Sequence, residues 1–251
     1  MSLGLIVAFF ATALIYASVG FGGGSTYTAL LVLNETDYRI LPFVSLVCNV
    51  IVVTGGTIRY ARAGLIPWRR VLPLVIASAP LAVVGGMTPI KQPMFMAVLG
   101  LSLLAAGVLL VLQRKLRTEA TDRPTKPVAD ALLGGAIGYL SGLVGIGGGI
   151  FLAPVLYLTR WGQARTIAAT ASLFILINSL SGLVGQSIKL GNAGELSAVT
   201  NYWPLALAVL VGGQIGSWAG VKISSPTVVR RATGVLILYV AVQLLWKTLA
   251  A

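Results

Sequence analysis

Gly20-Phe21-Gly22-Gly23-Gly24 recurs 125 positions later as Gly145-Ile146-Gly147-Gly148-Gly149. Glycine is costly inside a helix and favours a break there. Each run sits inside an uncharged stretch, residues 1–33 and 131–158, that is too long for one straight helix. Outward from them lie six more uncharged stretches: 40–58, 71–90, 93–112, 166–188, 202–221 and 232–246. A membrane-crossing helix needs about 20 apolar residues. Most of the six meet that length, and the last reaches an interface through Trp246. The expected fold is therefore all-α, a polytopic transmembrane helical bundle with a glycine-broken helix or hairpin in each half.

Composition supports lipid as the solvent. Of 251 residues, 57% are hydrophobic and only 10% are charged, against about 25% charged in a soluble domain. Lys and Arg number 18 and Asp and Glu 6, for a net charge of +12. That excess fits loops that obey the positive-inside tendency and meet anionic headgroups, so no nucleic-acid partner is expected. There is no histidine, and Cys48 is the single cysteine. Histidine catalysis, histidine metal sites and intramolecular disulfides are thereby excluded. No cofactor and no metal are called for. Met1-Ser2-Leu3-Gly4 carries no basic n-region, so a cleavable signal peptide is not expected.

The glycine runs are one sign of a duplicated unit. Asn49 is followed by Gly56, as Asn178 is by Gly185, each in the next apolar stretch. Gly85-Gly86 corresponds loosely to Gly216 and Gly220, and Pro93 to Pro226. The chain then divides into a first transmembrane repeat (1–112), a basic cytoplasmic linker (113–127) and a second repeat (128–251). Corresponding loops carry opposite charge. Arg59, Arg62, Arg69 and Arg70 stand where the second half has Lys189 and Glu195, whereas Arg39 and Lys91 stand where it has Arg160, Arg165, Lys222, Arg230 and Arg231. Positive-inside reasoning then gives inverted repeats; two parallel repeats of simple spans are the rival.

In a bilayer, a broken helix is tolerated only where it is buried in protein or lines a watery cavity. A helix restarting at Gly24 or Gly149 presents free N–H groups and the positive end of its dipole, which together suit an anion. Candidate substrate-binding residues are Gly22, Gly23, Gly24, Ser25 and Thr26 in the first half. In the second they are Gly147, Gly148 and Gly149. Asn49, Ser172 and Asn178 join them from the neighbouring helices, with Gln186 and Gln214 as weaker candidates. Close helix packing by glycine and interhelical bonding by asparagine are the plainer alternatives. The apolar stretches hold no cation, so the expected donors are neutral: backbone N–H groups, hydroxyls and the two asparagine amides. Arg39 and Arg165 are candidate vestibule residues, or simple interfacial anchors.

The segments Ala17-Ser18-Val19-Gly20-Phe21-Gly22-Gly23-Gly24 and Ser141-Gly142-Leu143-Val144-Gly145-Ile146-Gly147-Gly148-Gly149-Ile150-Phe151-Leu152-Ala153-Pro154 resemble the paired glycine motifs of the sulfite exporter TauE/SafE family. Thr170-Ala171-Ser172-Leu173 through Asn178 resembles that family's next helix. The first half departs in having no proline at the place of Pro154. The resemblance spans the chain and implies a bacterial inner-membrane exporter of sulfur oxyanions or organosulfonates. The residues by themselves argue for a small anionic substrate, membrane lipid as surroundings and a secondary transporter, with homo-oligomerisation left open. A passive anion channel and a membrane assembly subunit are the alternatives. An intramembrane enzyme lacks a nucleophile–base pair, and ATP hydrolysis lacks a P-loop.

Overall fold

The computed structural model describes residues 2–18, 21–112, 126–219, 235 and 237–246. Gly20, most of the linker, Gly220, Lys222, Pro226, Arg230 and Arg231 lie outside the described residues. Ten helices are described: α1 (Leu3–Ser18), α2 (Gly24–Leu33), α3 (Leu41–Arg62), α4 (Trp68–Met87), α5 (Gln92–Leu112), α6 (Pro127–Val144), α7 (Gly149–Leu158), α8 (Ala164–Asn192), α9 (Trp203–Ala219) and α10 (Ile237–Trp246), with a 3-10 segment at Leu196–Tyr202. Among the described residues, six segments are long and apolar enough to cross a membrane: α3, α4, most of α5, α6, α8 from Arg165, and Leu196–Gly216. The fold is an all-α polytopic transmembrane bundle.

Large apolar side chains face outward as well as inward, and polar ones share the interior. Ile76, Met94, Leu101, Val184, Leu207 and Tyr239 face outward, while Ser45, Asn49, Ser78, Ser172, Asn178 and Gln186 are buried. Trp68, Trp203 and Trp246 stand exposed at helix ends, with Trp218 one residue from another. Such an aromatic belt marks the two interfaces. Arg59 and Arg62 occupy the last turn of α3, where they complement its dipole. Pro73 and Pro80 lie inside α4; in a bundle the groups they free are satisfied by neighbouring helices.

Lipid gives helices no hydrophobic reason to associate, so close backbone approach does that work. Gly134, Gly138 and Gly142 of α6 lie against the backbone carbonyls of Leu74, Ser78 and Ala82 of α4, one turn apart in each helix. Gly212 and Gly216 of α9 lie in the same way on the carbonyls of Phe10 and Leu14 of α1. Gly85 of α4 meets the Tyr139 carbonyl. Leu14 and Tyr139 are separated by the 125 positions that separate the two glycine runs. Thus each half's first helix packs against a later helix of the other half. Gly86, Gly182 and Gly185 bring α4 and α8 together as closely.

Side-chain contacts fix which ends lie together. Ser2 Oγ donates to Asn34 Oδ1 at 3.5 Å, joining the start of α1 to the end of α2. The Arg70 guanidinium lies over the Trp161 ring, 4.2 Å from its centroid, and the Trp161 indole hydrogen-bonds Asp130. That group joins the starts of α4 and α6 to the end of α7. Hence α1–α2 and α6–α7 are each a hairpin with its glycine turn at the tip. A ten-residue helix rises about 15 Å, half of an approximately 30 Å hydrocarbon core, so α2 and α7 are each too short to cross it.

Candidate functional site at the junction of two glycine turns

The backbone at each tip adopts the left-handed conformation that favours glycine. Gly23, with φ +92°, precedes α2, and Gly145, Gly147 and Gly148, with φ +78°, +82° and +79°, precede α7. No side chain caps either helix start. The first N–H groups of a helix have no partner within it, so Gly24, Ser25, Gly149 and Ile150 bring unclaimed donors to the tips.

The two tips touch. A Cβ on Gly24 would collide with the Ile146 carbonyl of the other turn and with Asn49 Nδ2. A Cβ on Gly22 would stand 2.5 Å from Asn49 Oδ1, and one on Gly147 would stand 2.6 Å from Asn49 Nδ2. The Asn49 side chain of α3 therefore occupies the seam between both turns, and its Nδ2 donates to the Ile146 carbonyl at 3.1 Å. Its Oδ1 is buried and unpartnered. From α8, the Ser179 hydroxyl lies 3.1 Å from the Cβ position of Gly147, also buried and unpartnered.

A chain of hydroxyls anchors the first tip. Thr28 Oγ1 donates to Ser45 Oγ at 3.0 Å, and Ser45 Oγ donates to the Gly24 carbonyl at 3.0 Å. The Tyr16 and Thr26 hydroxyls are bonded at 2.8 Å, closing α1 on α2. At the start of α7 itself the contacts are apolar: Ile137 and Phe174 crowd Gly148, and Ile175 crowds Gly149.

The candidates named from the sequence fall into three places. Gly22, Gly24, Asn49 and Gly147 meet at the junction, with Gly23, Ser25, Thr26, Gly148 and Gly149 forming the adjoining helix starts. Asn178 is elsewhere: its Nδ2 donates to the Phe174 carbonyl at 2.8 Å and to Ser78 Oγ at 3.1 Å, between α8, α4 and α6. Ser172 bonds the Thr57 hydroxyl at 2.8 Å, nearer the Arg59 end of α3. Gln186 donates to the Gly142 carbonyl at 2.8 Å, and Gln214 is exposed. Asn178 Nδ2 commits both of its N–H groups, to the Phe174 carbonyl and Ser78 Oγ, whereas Asn49 Nδ2 commits one of its two, to the Ile146 carbonyl. Arg39 is at the opposite end from Arg165. It pairs with Glu195, and its hydrogen bonds to Tyr38 and then Glu195 push its guanidinium pKa further up. Arg165 is exposed and within electrostatic reach of Tyr60, as is Arg59.

Sequence reasoning placed Ser45 beside Asn49 but missed Ser179 and the Ile146 carbonyl. A helical reading of α8 contains the signal for Ser179, since Ser172, Ile175 and Ser179 follow the i, i+3, i+7 spacing of one face. Among the described residues no group of three or more His, Cys, Asp and Glu side chains is placed to hold a metal ion. What the junction offers chemically is neutral: orphan backbone donors, a hydroxyl, and the amide oxygen and second amide N–H of Asn49.

The profile of the sulfite exporter TauE/SafE family matches residues 5–244. The chain belongs to the TauE/SafE family. A probable membrane transporter protein of Sinorhizobium fredii is 34% identical over 249 residues, covering 98% of each chain. Probable membrane transporter proteins of Bacillus subtilis and Methanocaldococcus jannaschii are 25% and 24% identical, covering 91% and 88% of this chain and 92% and 85% of theirs. No solved structure matches the chain. With its lipid-facing apolar helices, this TauE/SafE member is an integral membrane protein of a transporter family.

Proposed function

We propose that this chain is a secondary transporter, working as an exporter, of a small anion such as sulfite or an organosulfonate in the bacterial inner membrane. The anion binds near the midplane, between the two glycine turns. The observation that carries this reading is the meeting of two uncapped, glycine-started helices around one buried asparagine. Two helix N-termini aimed at one spot supply partial positive charge without a cation. A fixed arginine partner in low dielectric would hold the ion more strongly, which favours storage over release.

An inverted duplication supports alternating access. The hairpin α1–α2 starts from the end that carries Asn34, whereas α6–α7 starts from the end that carries Arg70 and Trp161. In the paired contacts of Gly85 with Tyr139 and Gly216 with Leu14, Leu14 and Tyr139 stand at the offset of the glycine runs. Two such hairpins entering from opposite faces can open the junction to one side at a time. By charge, the Arg59–Arg70 end is cytoplasmic.

The test is flux of sulfite, methanesulfonate and a carboxylate control through the purified chain in proteoliposomes. Saturable sulfite flux that is accelerated by unlabelled substrate on the far side is expected. Unsaturable conductance would make it a channel, and absence of any anion flux from the chain alone would overturn the proposal.

A further inference from the structure

We propose that the anion taken at the junction is a monovalent one that brings a hydrogen-bond donor of its own, and that fully deprotonated dianions are rejected. The inference rests on the anion-transport reading above and narrows its substrate class.

The first observation is the orientation of the Asn49 amide. Its Nδ2 is committed to the Ile146 carbonyl at 3.1 Å. Turning the amide over would set its own carbonyl oxygen against that oxygen, so the assignment of the two amide atoms is fixed by the contact. Oδ1 is left as an acceptor with 0% of the residue exposed and no donor opposite it. It faces Gly22, 2.5 Å from where a Cβ would stand, immediately before the uncapped start of α2. Buried acceptors are nearly always satisfied; the amide oxygens of Asn178, Gln186 and Gln243 are unpartnered as well, and Asn49 Oδ1 is the one that lies at the two glycine turns. Here the natural place for the missing donor is on the ligand.

The set at the junction is then mixed, and it includes the second N–H of Asn49 Nδ2, which the Ile146 carbonyl does not take up. Orphan N–H groups of α2 and α7 and the Ser179 hydroxyl are aimed at an anion's oxygens, and Asn49 Oδ1 asks for one hydrogen in return. A hydrogen-bearing oxyanion satisfies both. A dianion built only of acceptors sets its lone pairs against those of Oδ1 and leaves that group unpaired.

The second observation is charge. The stretches 40–58 and 166–188, which supply Asn49 and Ser179, contain no Lys, Arg, Asp or Glu. The cost of bringing an ion out of water rises with the square of its charge, so a dianion costs about four times as much as a monoanion of its size. Partial charges at two helix ends are of a size to offset the smaller cost, with about half an elementary charge at each. Among sulfur(IV) species the class is hydrogensulfite. Among sulfonates it is those with an amino or hydroxyl group beside the sulfonate.

Sulfamate and methanesulfonate test this directly. Both are monovalent tetrahedral anions of similar size at neutral pH, but one offers N–H and the other only C–H. Binding of each to the full-length protein in detergent is titrated calorimetrically, in buffer free of sodium and then with sodium added. Sulfamate is expected to bind about tenfold more tightly, equivalent to about 1.4 kcal/mol, with the gap shrinking to about twofold or less in Asn49→Ala. Equal affinities in the parent protein overturn the inference while leaving the anion reading intact. So does tightening of methanesulfonate by sodium, which would mean that a cation meets Oδ1. Should Asn49→Ala fail to fold, the two ligands on the parent protein still decide the matter. If sulfamate, methanesulfonate and sulfite all fail to bind, the anion site itself is wrong.

Discussion

The Asn49 side-chain nitrogen donates to the Ile146 carbonyl at 3.1 Å, spanning 97 positions of sequence to tie α3 to the opposite glycine turn. The same amide lies against Gly24 at the start of α2, so it stands between both turns. Replacing Asn49 by Ala strands a buried carbonyl, which costs about 1–3 kcal/mol. It also takes away an amide placed between Gly22, Gly24 and Gly147. Asn49→Ala is expected to lower the thermal midpoint and to abolish anion flux. Asn178→Ala, between α4 and α6, is expected to lower the midpoint with a much smaller change in affinity. Paired melting and binding measurements check the order, and the reverse order would move the site to α4–α6–α8.

The left-handed glycines make a second case. Gly147 and Gly148 sit at φ +82° and +79°, where a β-branched residue is strained. A Cβ at Gly148 would stand 2.9 Å from both Ile137 and Phe174. Gly148→Val is expected to insert into membranes at near-parent levels and to lose transport. Gly191→Val, at a glycine with open space around it, is the control. Wild-type flux by Gly148→Val, assayed in vesicles beside an immunoblot for insertion, would return the turn to ordinary packing.

Topology gives a third. Cys48 is buried, so single cysteines introduced at loop positions report without interference. Positions 62 and 160 are expected to react from the cytoplasmic face, and positions 35 and 194 from the other. Labelling of 62 and 160 from opposite sides would rule out hairpins of opposite entry.

The bundle was legible because its signals are one-dimensional: length, hydropathy and missing charge. The runs at Gly22 and Gly147 were legible for a similar reason, since a helix cannot ignore three glycines. The partner of those runs was harder to see. Asn49 and Asn178 read as equivalents, being lone amides in matching spans, yet the structure sends Asn49 to the junction and Asn178 to Ser78. Which way a buried amide faces depends on the rotation of α3 against α8 and on a carbonyl presented by another segment. Periodicity within one helix carries neither. Ser179 was passed over for the same reason: serine in a span reads as filler until a neighbouring Gly147 leaves it without a partner.

That hydroxyl gives the most discriminating substitution. Ser179 Oγ is buried and unpartnered beside Gly147, whereas Ser172 Oγ on the same face of α8 is bonded to Thr57 at 2.8 Å. Removing a buried hydroxyl that has no partner leaves nothing unsatisfied and spares its desolvation, so Ser179→Ala is expected to leave stability unchanged or slightly raised. Removing one of a bonded pair strands the other, so Ser172→Ala is expected to lose about 1 kcal/mol. If Ser179 donates to the anion, its loss forfeits a charge-assisted bond of about 1.5–3 kcal/mol, which corresponds to at least a tenfold weaker affinity. The two variants should thus separate: Ser179→Ala melts like the parent and binds poorly, while Ser172→Ala melts early and binds like the parent. Melting curves and sulfite titrations on both proteins read the two axes independently. A Ser179→Ala protein with unchanged affinity would remove α8 from the site and leave the anion to the backbone and Asn49 alone.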